Sequence, residues 1–492
     1  MDTVQTVLQS AKSFFAGTLF SRISGLIRDV AMAINFGSSP EIAAFFVAYR
    51  LANLFRRLLG EGNMNAAFVP HFIEMKENGS AFYRDVVFSM TFLLGFIVLF
   101  LEGLLWLISL WIGPDWAEIV HLMMWMTPGL FFICLYGLNS SLLQCRQKYF
   151  IPAAAPVVFN VIWITSAFFA PDVHCLAIAV TLAFAGQWFV TIFEGWSLLS
   201  IKEWMKPKIF SEDCKKLIKP LMLGILGIGA VQFNSALDPI FARIADLKGP
   251  AYLWYAIRVQ QLPLALFGMG LTGALLPPLS RAREEGKKTE LLEHALKIGI
   301  ALMMIATFGI CALSEEAVSL LFGHGDFSPN DVMETSRCLV GYGMGLIPSV
   351  CTLILATHCY SNKNYRLPSL ASLFSVGVNV ALNALFVFVC GWGTVSVAIA
   401  TSVSSFVNCA ILYRGEIGSS CWSFFVKLGT ACLAATLITG SVKEFWLDMS
   451  SDRTLDQGAQ FMLLALIFLC SICLFSWKEI KVYLMIPKSD EP

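Results

Sequence analysis

Apolar runs of about twenty residues, separated by short polar connectors, recur along the whole chain and predict fourteen membrane-spanning helices. They fall near 10–36, 41–73, 85–112, 117–144, 151–171, 174–199, 217–245, 250–280, 290–321, 331–359, 367–389, 394–414, 422–441 and 458–484. The first, second, seventh and eighth are the least uniformly apolar. The third and the last are rich in Phe, Leu and Trp and read as lipid-facing. Connector charge supports the count. Alternate connectors hold Lys76 and Arg84; Arg146 and Lys148; Lys202, Lys206, Lys208, Lys215 and Lys216; Arg281, Arg283, Lys287 and Lys288; Lys363 and Arg366; and Arg414. The intervening ones hold Lys248, Lys443 and Arg453. Basic connectors stay in the cytoplasm, so both termini are expected there and the number of spans is even.

Composition agrees. The chain has 492 residues, of which 57% are hydrophobic and only 14% charged, and a mean hydropathy of +0.70. That balance defines an all-α polytopic membrane protein and excludes a soluble domain. Net charge is zero, so nothing points to nucleic acid as a partner. Cys470 and Cys473 form the one close cysteine pair. They sit on an apolar span without a polar second shell, which suits small core residues better than a metal or redox pair. The N-terminal apolar stretch carries charge in its middle and no small-residue exit, so it reads as a span and not as a cleavable signal. With no GxxxxGK[ST] loop and no nucleophile–base or metal spacing, the expectation is a transporter, not an enzyme, with no cofactor beyond a coupling Na⁺ or H⁺.

Two segments repeat each other without a gap. FFVAYRLANLFRRLLGEGNMNAAFVP (45–70) and LWYAIRVQQLPLALFGMGLTGALLPP (253–278) lie 208 positions apart and share Arg50/Arg258, Gly60/Gly268, Gly62/Gly270 and Pro70/Pro278. A second echo, QKYFIPAAAP (147–156) against KNYRLPSLAS (363–372), shares Tyr149/Tyr365 and Pro152/Pro368 at an offset of 216. Both copies follow a cytoplasmic turn, so the halves run in the same orientation as parallel six-span repeats. The expected organisation is a first lobe over 1–215, a second over 216–416, and two further spans over 417–492. The basic stretch KEWMKPKIFSEDCKK (202–216), with Trp and Phe, reads as an interfacial linker between the lobes.

Charges inside spans carry the candidate chemistry, because a charge at mid-membrane costs about 2.5–3.5 kcal/mol on insertion scales. Arg22, Arg28 and Asp29 lie in the first span, and Arg50, Arg56, Arg57 and Glu61 in the second. Asp238 and Arg243 lie in the seventh, and Arg258 in the eighth. Helical spacing puts Arg22 with Asp29 on one face and Arg50, Asn53 and Arg57 on another. Arg57 and Glu61 are spaced to pair within one helix. Several arginines around a wet cavity suit a diphosphate. The alternative is that arginines snorkel to the interface or tie helices together. Gly25, Gly60, Gly62, Gly268, Gly270 and Gly273 permit close helix approach or bending. Asp238 directly precedes Pro239, where freed carbonyls beside a carboxylate can hold Na⁺ or a proton. Asn379 and Asn383, with Thr401, add oxygens, for which interhelical hydrogen bonding is the other reading.

SRISGLIRDVAMAINFG, the 45–70 segment, YFIPAAAPVVFN and LTGALLPPLS resemble the bacterial lipid II flippases (MurJ/MviN) of the multidrug/oligosaccharidyl-lipid/polysaccharide exporter superfamily. The likeness runs through about the first 415 residues. It implies fourteen helices, two six-helix lobes around a central cavity, and a groove for the polyprenyl tail beside the last two helices. By motif, the substrate-binding residues fall on Arg22, Arg28, Asp29, Asn53, Arg56, Glu61, Arg258 and Arg366. A sodium site found in some members would fall on Asp238, Asn379, Asn383 and Thr401. This chain departs from the pattern at Ala43 and Ile257, where relatives often have Asp, at Gln261 for Glu, at Ala52 for Pro, and at Asn383, where sodium-binding members have Asp. The resemblance implies lipid II and membrane lipids as partners, cell-wall synthesis proteins beside them, and the bacterial cytoplasmic membrane as location. The alternatives are a flippase for another polyprenyl-diphosphate glycan, a drug/cation antiporter of the same fold, which would instead depend on acidic cavity residues, and a non-transporting cell-wall scaffold, which would tolerate loss of the arginines.

Overall fold

A computed structural model describes residues 4–59, 63–281, 284–413, 415, 419–449 and 457–484. Among these residues every regular element is helical. In chain order the helices are α1 (Val4–Phe36), α2 (Pro40–Leu59), α3 (Asn63–Glu74), α4 (Gly79–Ser109), α5 (Pro114–Met126), α6 (Gly129–Cys145), α7 (Phe150–Phe169) and α8 (Val173–Trp196). They continue with α9 (Ile201–Trp204), α10 (Glu212–Lys216), α11 (Ile218–Ala245), α12 (Gly249–Pro263), α13 (Met269–Arg281) and α14 (Glu285–Phe322). Last come α15 (Pro329–Gly343), α16 (Leu346–Ser361), α17 (Arg366–Ala384), α18 (Val395–Leu412), α19 (Ser419–Met449) and α20 (Gln457–Leu484). Wider, π-type turns join α12 to α13 (Leu264–Gly268) and follow α17 (Leu385–Val389).

Among the described residues, nine helical segments are long and apolar enough to cross a membrane. Two more spans are pairs bent by 42° (α5/α6) and 40° (α15/α16). Three long segments fall outside that set: α1, α2 with α3, and α11. All three hold the charges that the sequence places in spans one, two and seven, and in α1 and α2 that charge makes the helix less apolar. Taken with the other eleven, they are consistent with fourteen spans.

The chain forms two compact units, Met1–Arg243 and Ile244–Pro492. Duplication suggested a boundary at 215/216, whereas packing divides the chain near the end of α11. Three arginines tie α11 into the first unit. Arg50 Nη1 donates to Ser235 Oγ at 2.9 Å, Arg57 Nη1 to Gln232 Oε1 at 3.0 Å, and Arg243 Nη1 to the Pro40 carbonyl at 2.8 Å. Leu54, Leu58 and Ala236 add a small apolar contact between α2 and α11. For these three arginines the structure gives the helix-tying alternative.

Within the first unit α1 lies along α7 so closely that a Cβ on Gly17 would sit 2.7 Å from that of Ala153. In the second unit α14 is the axis. Leu296, Ile300 and Met303 share one core with Phe424, Leu428 and Cys432 of α19 and Phe468 and Ile472 of α20. The last two spans are therefore packed parts of this unit.

The duplication is visible in backbone geometry. Gln147 and Lys363, 216 positions apart, both take the left-handed conformation, at φ 58° and 59°. Each ends a helix with the same pair of bonds. Gln147 N–H donates to Gln144 O and Lys148 N–H to Leu143 O; Lys363 N–H donates to Tyr360 O and Asn364 N–H to Cys359 O. The bent spans match too. A Cβ on Gly129 would meet Phe184 of α8 at 2.7 Å, and one on Gly345 would meet Ser402 of α18 at 2.8 Å. The glycines singled out from the sequence behave differently. Gly270 and Gly273 face open space, and Gly25 has only ordinary contact, while Gly60 and Gly62 lie outside the described residues.

Two of the three basic residues that break the charge alternation have structural partners. Lys248 Nζ lies 3.4 Å from Asp331 Oδ1, which also accepts from the Tyr252 hydroxyl. Lys443 Nζ joins Glu315 and Glu316 of α14 at 2.7 and 2.6 Å. Arg453 lies outside the described residues.

Candidate functional site: buried arginines and their partners

Arg28 is buried in the α1–α7 seam of the first unit. Its Nε and Nη2 donate to Asp29 Oδ1 at 3.1 and 2.8 Å, and its Nη1 donates to Asn160 Oδ1 at 3.1 Å. Asn160 is oriented in turn, since its amide donates to Ser24 Oγ at 2.8 Å and to the Ser21 carbonyl at 3.2 Å. The guanidinium carbon lies 4.6 Å from the centre of the Trp163 ring. Trp163 is fully buried and donates to Met32 Sδ, and Tyr49, Phe159 and Phe45 pack edge-on around it at 4.8, 5.5 and 5.6 Å. A buried cation is tolerable only when paired and hydrogen-bonded, and this one is held by a carboxylate, an amide and an aromatic face together.

Arg258, on α12 of the second unit, is partly buried and stacked over the Trp254 ring at 4.2 Å. Trp254 is itself buried, and its neighbour Tyr255 packs against Phe322 and Phe327. Stacking of this kind engages the guanidinium face, and the in-plane N–H groups of an arginine are the edge suited to phosphate oxygens. Each of these two candidate arginines thus rests on a tryptophan.

The other candidates are placed as follows. Arg22 is exposed on α1. Asn53 is buried on α2, and among the described residues its Oδ1 accepts no hydrogen bond. Arg56 lies on α2, with its side chain outside the described ones, and Glu61 lies outside the described residues. Arg366 is exposed at the first turn of α17, beside the stacked pair Tyr360 and Tyr365. Of the ion-site set, Asn379, Asn383 and Thr401 come together between α17 and α18. Asn383 donates to Asn379 Oδ1, and Asn379 donates to Thr401 Oγ1 at 3.3 Å and Ser404 Oγ at 3.5 Å. These amides are spent largely on one another, as in an interhelical hydrogen-bond network, and the cluster holds no carboxylate. Asp238 is buried in the first unit. No group of three or more His, Cys, Asp or Glu suited to a metal ion occurs among the described residues.

The sequence reading overlooked Asn160, Trp163 and Trp254. Asn160 closes the motif YFIPAAAPVVFN, and a lone Asn three residues before a Trp in an apolar span was the available signal.

Duplicated helical units, bent spans and arginines set in membrane helices define an integral membrane protein of the transporter type. A family model described as lipid II flippase MurJ matches residues 32–469, and the chain belongs to that family. It is 31% identical to a probable lipid II flippase MurJ of Chlamydia trachomatis serovar D, over 89% of this chain and 86% of that one. It is 30% identical to the Aquifex aeolicus protein of the same name, over 83% of each chain. Among solved structures, it is similar to lipid II flippase MurJ in an inward closed conformation, with a TM-score of 0.79 and 24% identity over 95% of this chain and 99% of that one. It also resembles an inward-facing multidrug resistance MATE transporter of the MOP superfamily, with a TM-score of 0.65 and 13% identity over 80% and 92%. Those two likenesses concern the fold. The chain is an inner-membrane transporter, not an enzyme.

Proposed function

We propose that the chain moves undecaprenyl-diphosphate-linked peptidoglycan precursor, lipid II, from the cytoplasmic to the outer leaflet by alternating access. Membership of the lipid II flippase family carries this reading, and the tryptophan-backed arginines supply chemistry suited to a diphosphate. In it Arg28, Arg56 and Arg258 bind the diphosphate, with Asp29 and Asn160 setting the orientation of Arg28. Arg22 shapes the inward-facing mouth, and Asn53, Glu61 and Arg366 complete the substrate-binding set. Both termini lie in the cytoplasm. The domain reading remains two lobes, 1–215 and 216–416, with 417–492 lining a groove for the lipid tail, and cell-wall synthesis proteins act beside it.

The membrane potential favours the reaction. Two negative charges leaving a negative interior gain about 4.6 kcal/mol per 100 mV when uncompensated, and the gain shrinks if the protein carries cations with them. A coupling Na⁺ or H⁺ would then reset the cycle. Asp238 is the carboxylate assigned to it, with Asn379, Asn383 and Thr401 as accompanying oxygens.

A depletion strain rescued by single substitutions, with lipid II accessibility read at the outer leaflet, tests the assignment. Arg28→Ala and Arg258→Ala should each fail to rescue. Full rescue with normal accessibility by both removes the diphosphate-binding role. Collapsing the sodium gradient and the potential separately, in wild type and Asp238→Asn, tests the coupling.

A further inference from the structure

The segment joining α8 to α11 is fastened to the start of α4 and presents a defined outer side. Arg84 is buried on α4, where its Nε and Nη2 donate to Asp85 Oδ1 at 2.8 and 2.6 Å, and its Nη1 donates to the Glu203 carbonyl at 3.0 Å. The same Asp85 oxygen accepts from Lys208 N–H at 3.0 Å, and Ser89 Oγ accepts from Phe210 N–H at 2.9 Å. Trp204 packs edge-on to Tyr83 at 6.2 Å and Phe210 edge-on to Phe92 at 6.0 Å, while Cys214 and Leu217 enter the core of the first unit. Glu203 closes a capping box with Ser200, whose hydroxyl and backbone N–H hold its carboxyl below the usual carboxylate range.

This fastening leaves Ile201, Met205 and Ile209 outward, 76%, 78% and 50% exposed. Lys202, Lys206 and Lys208 alternate with them. All three are exposed and, among the described residues, join no ion pair, whereas Lys215 and Lys216 are paired with Glu212 and Asp213. Bulk water does not favour three large apolar side chains held outward, and hydrocarbon does not accept three cations. The boundary between headgroups and acyl chains suits both sets. The unpaired positive charge selects the lipid, because cationic segments at this depth prefer anionic headgroups.

We propose that residues 200–216 are a rigid anchor for anionic phospholipid. Lys202, Lys206 and Lys208 bind headgroup phosphates, and Ile201, Met205 and Ile209 enter the acyl boundary. Because the segment is also the covalent lead into α11, bound lipid steadies the start of that helix. The proposal is independent of what the protein transports.

The test places a fluorescent amino acid at Met205 of the full chain in nanodiscs of phosphatidylcholine, with or without phosphatidylglycerol. Brominated acyl chains should quench it, and brominated phosphatidylglycerol more than brominated phosphatidylcholine. The combined variant Lys202→Gln, Lys206→Gln, Lys208→Gln should lose that preference several-fold, while Lys215→Gln with Lys216→Gln should keep it. Thermal melts run alongside report that the Arg84 fastening survives. Quenching by aqueous iodide with none by brominated lipid overturns the proposal, as does an unchanged preference in the triple variant. Shielding of the probe that appears only when soluble protein is added also overturns it, since the surface would then be a protein-docking face.

Discussion

The α1–α7 seam of the first unit and the α17–α18 seam of the second bury polar groups in opposite ways. In the first, a cation is enclosed by Asp29, Asn160 and Trp163. In the second, two asparagines, a threonine and a serine bond to each other without a charge. At the offset of 216 the position of Trp163 corresponds to Asn379. One backbone plan therefore carries an aromatic platform for a cation in one half and a neutral amide in the other. Duplication kept the turns and bends, and divergence of a few buried side chains put this charge in one seam.

The largest contrast should come from Asp29→Ala against Asn379→Ala. Removing Asp29 leaves the Arg28 charge buried with its carboxylate gone, a change that typically costs about 3–5 kcal/mol. Asn379→Ala removes neutral hydrogen bonds worth roughly 1 kcal/mol each. Thermal unfolding in one detergent should therefore rank Asp29→Ala well below Asn379→Ala, and lipid II flipping should fail in the former. Equal melting points would remove the distinction between the two seams.

A middle-sized effect is expected at Trp254. Fluorinated tryptophans installed at that position keep the shape of the ring while draining its negative face, so packing is preserved and the contact with Arg258 weakens. Cation–π contacts are worth about 0.5–2 kcal/mol. Lipid II affinity should fall stepwise with the number of fluorines, by several-fold across the series, with little change in melting point. A flat series would mean that Trp254 only fills space.

Hydropathy and connector charge carried most of the fold, since lipid demands long apolar helices and the positive-inside bias labels their ends. Lys248 and Lys443 strained that pattern, and their cause is local. Asp331, Glu315 and Glu316 supply carboxylates that linear spacing does not reveal. The positions of the charges in α1, α2 and α11 were legible, but their partners were not. Arg50, Arg57 and Arg243 reach residues 185, 175 and 203 positions away, a separation that no local pattern encodes. The kinks in α5/α6 and α15/α16 fall at Pro128–Gly129 and Gly343–Gly345, breakers that are visible in the sequence but do not interrupt the apolar runs. Lys443→Met should cost about 1 kcal/mol, as Glu316 loses the lysine that joins α19 to α14. A melting curve of that variant measures it.

The smallest effect offers the sharpest test of the shared plan. Gln147 and Lys363 hold left-handed backbone at φ 58° and 59°, each directly after a helix and each followed by an N–H that bonds five residues back. A side chain is strained there and glycine is not, so glycine is the usual residue at this point of a helix ending. Gln147→Gly and Lys363→Gly should each stabilise the protein by roughly 0.5–1 kcal/mol, with the loss of the lysine charge adding little at an exposed turn. The two gains should match within error and add in the double variant, because the turns lie in different compact units. Gain at one turn and loss at the other would show that the 216-residue echo preserves sequence without preserving the strain it relieves.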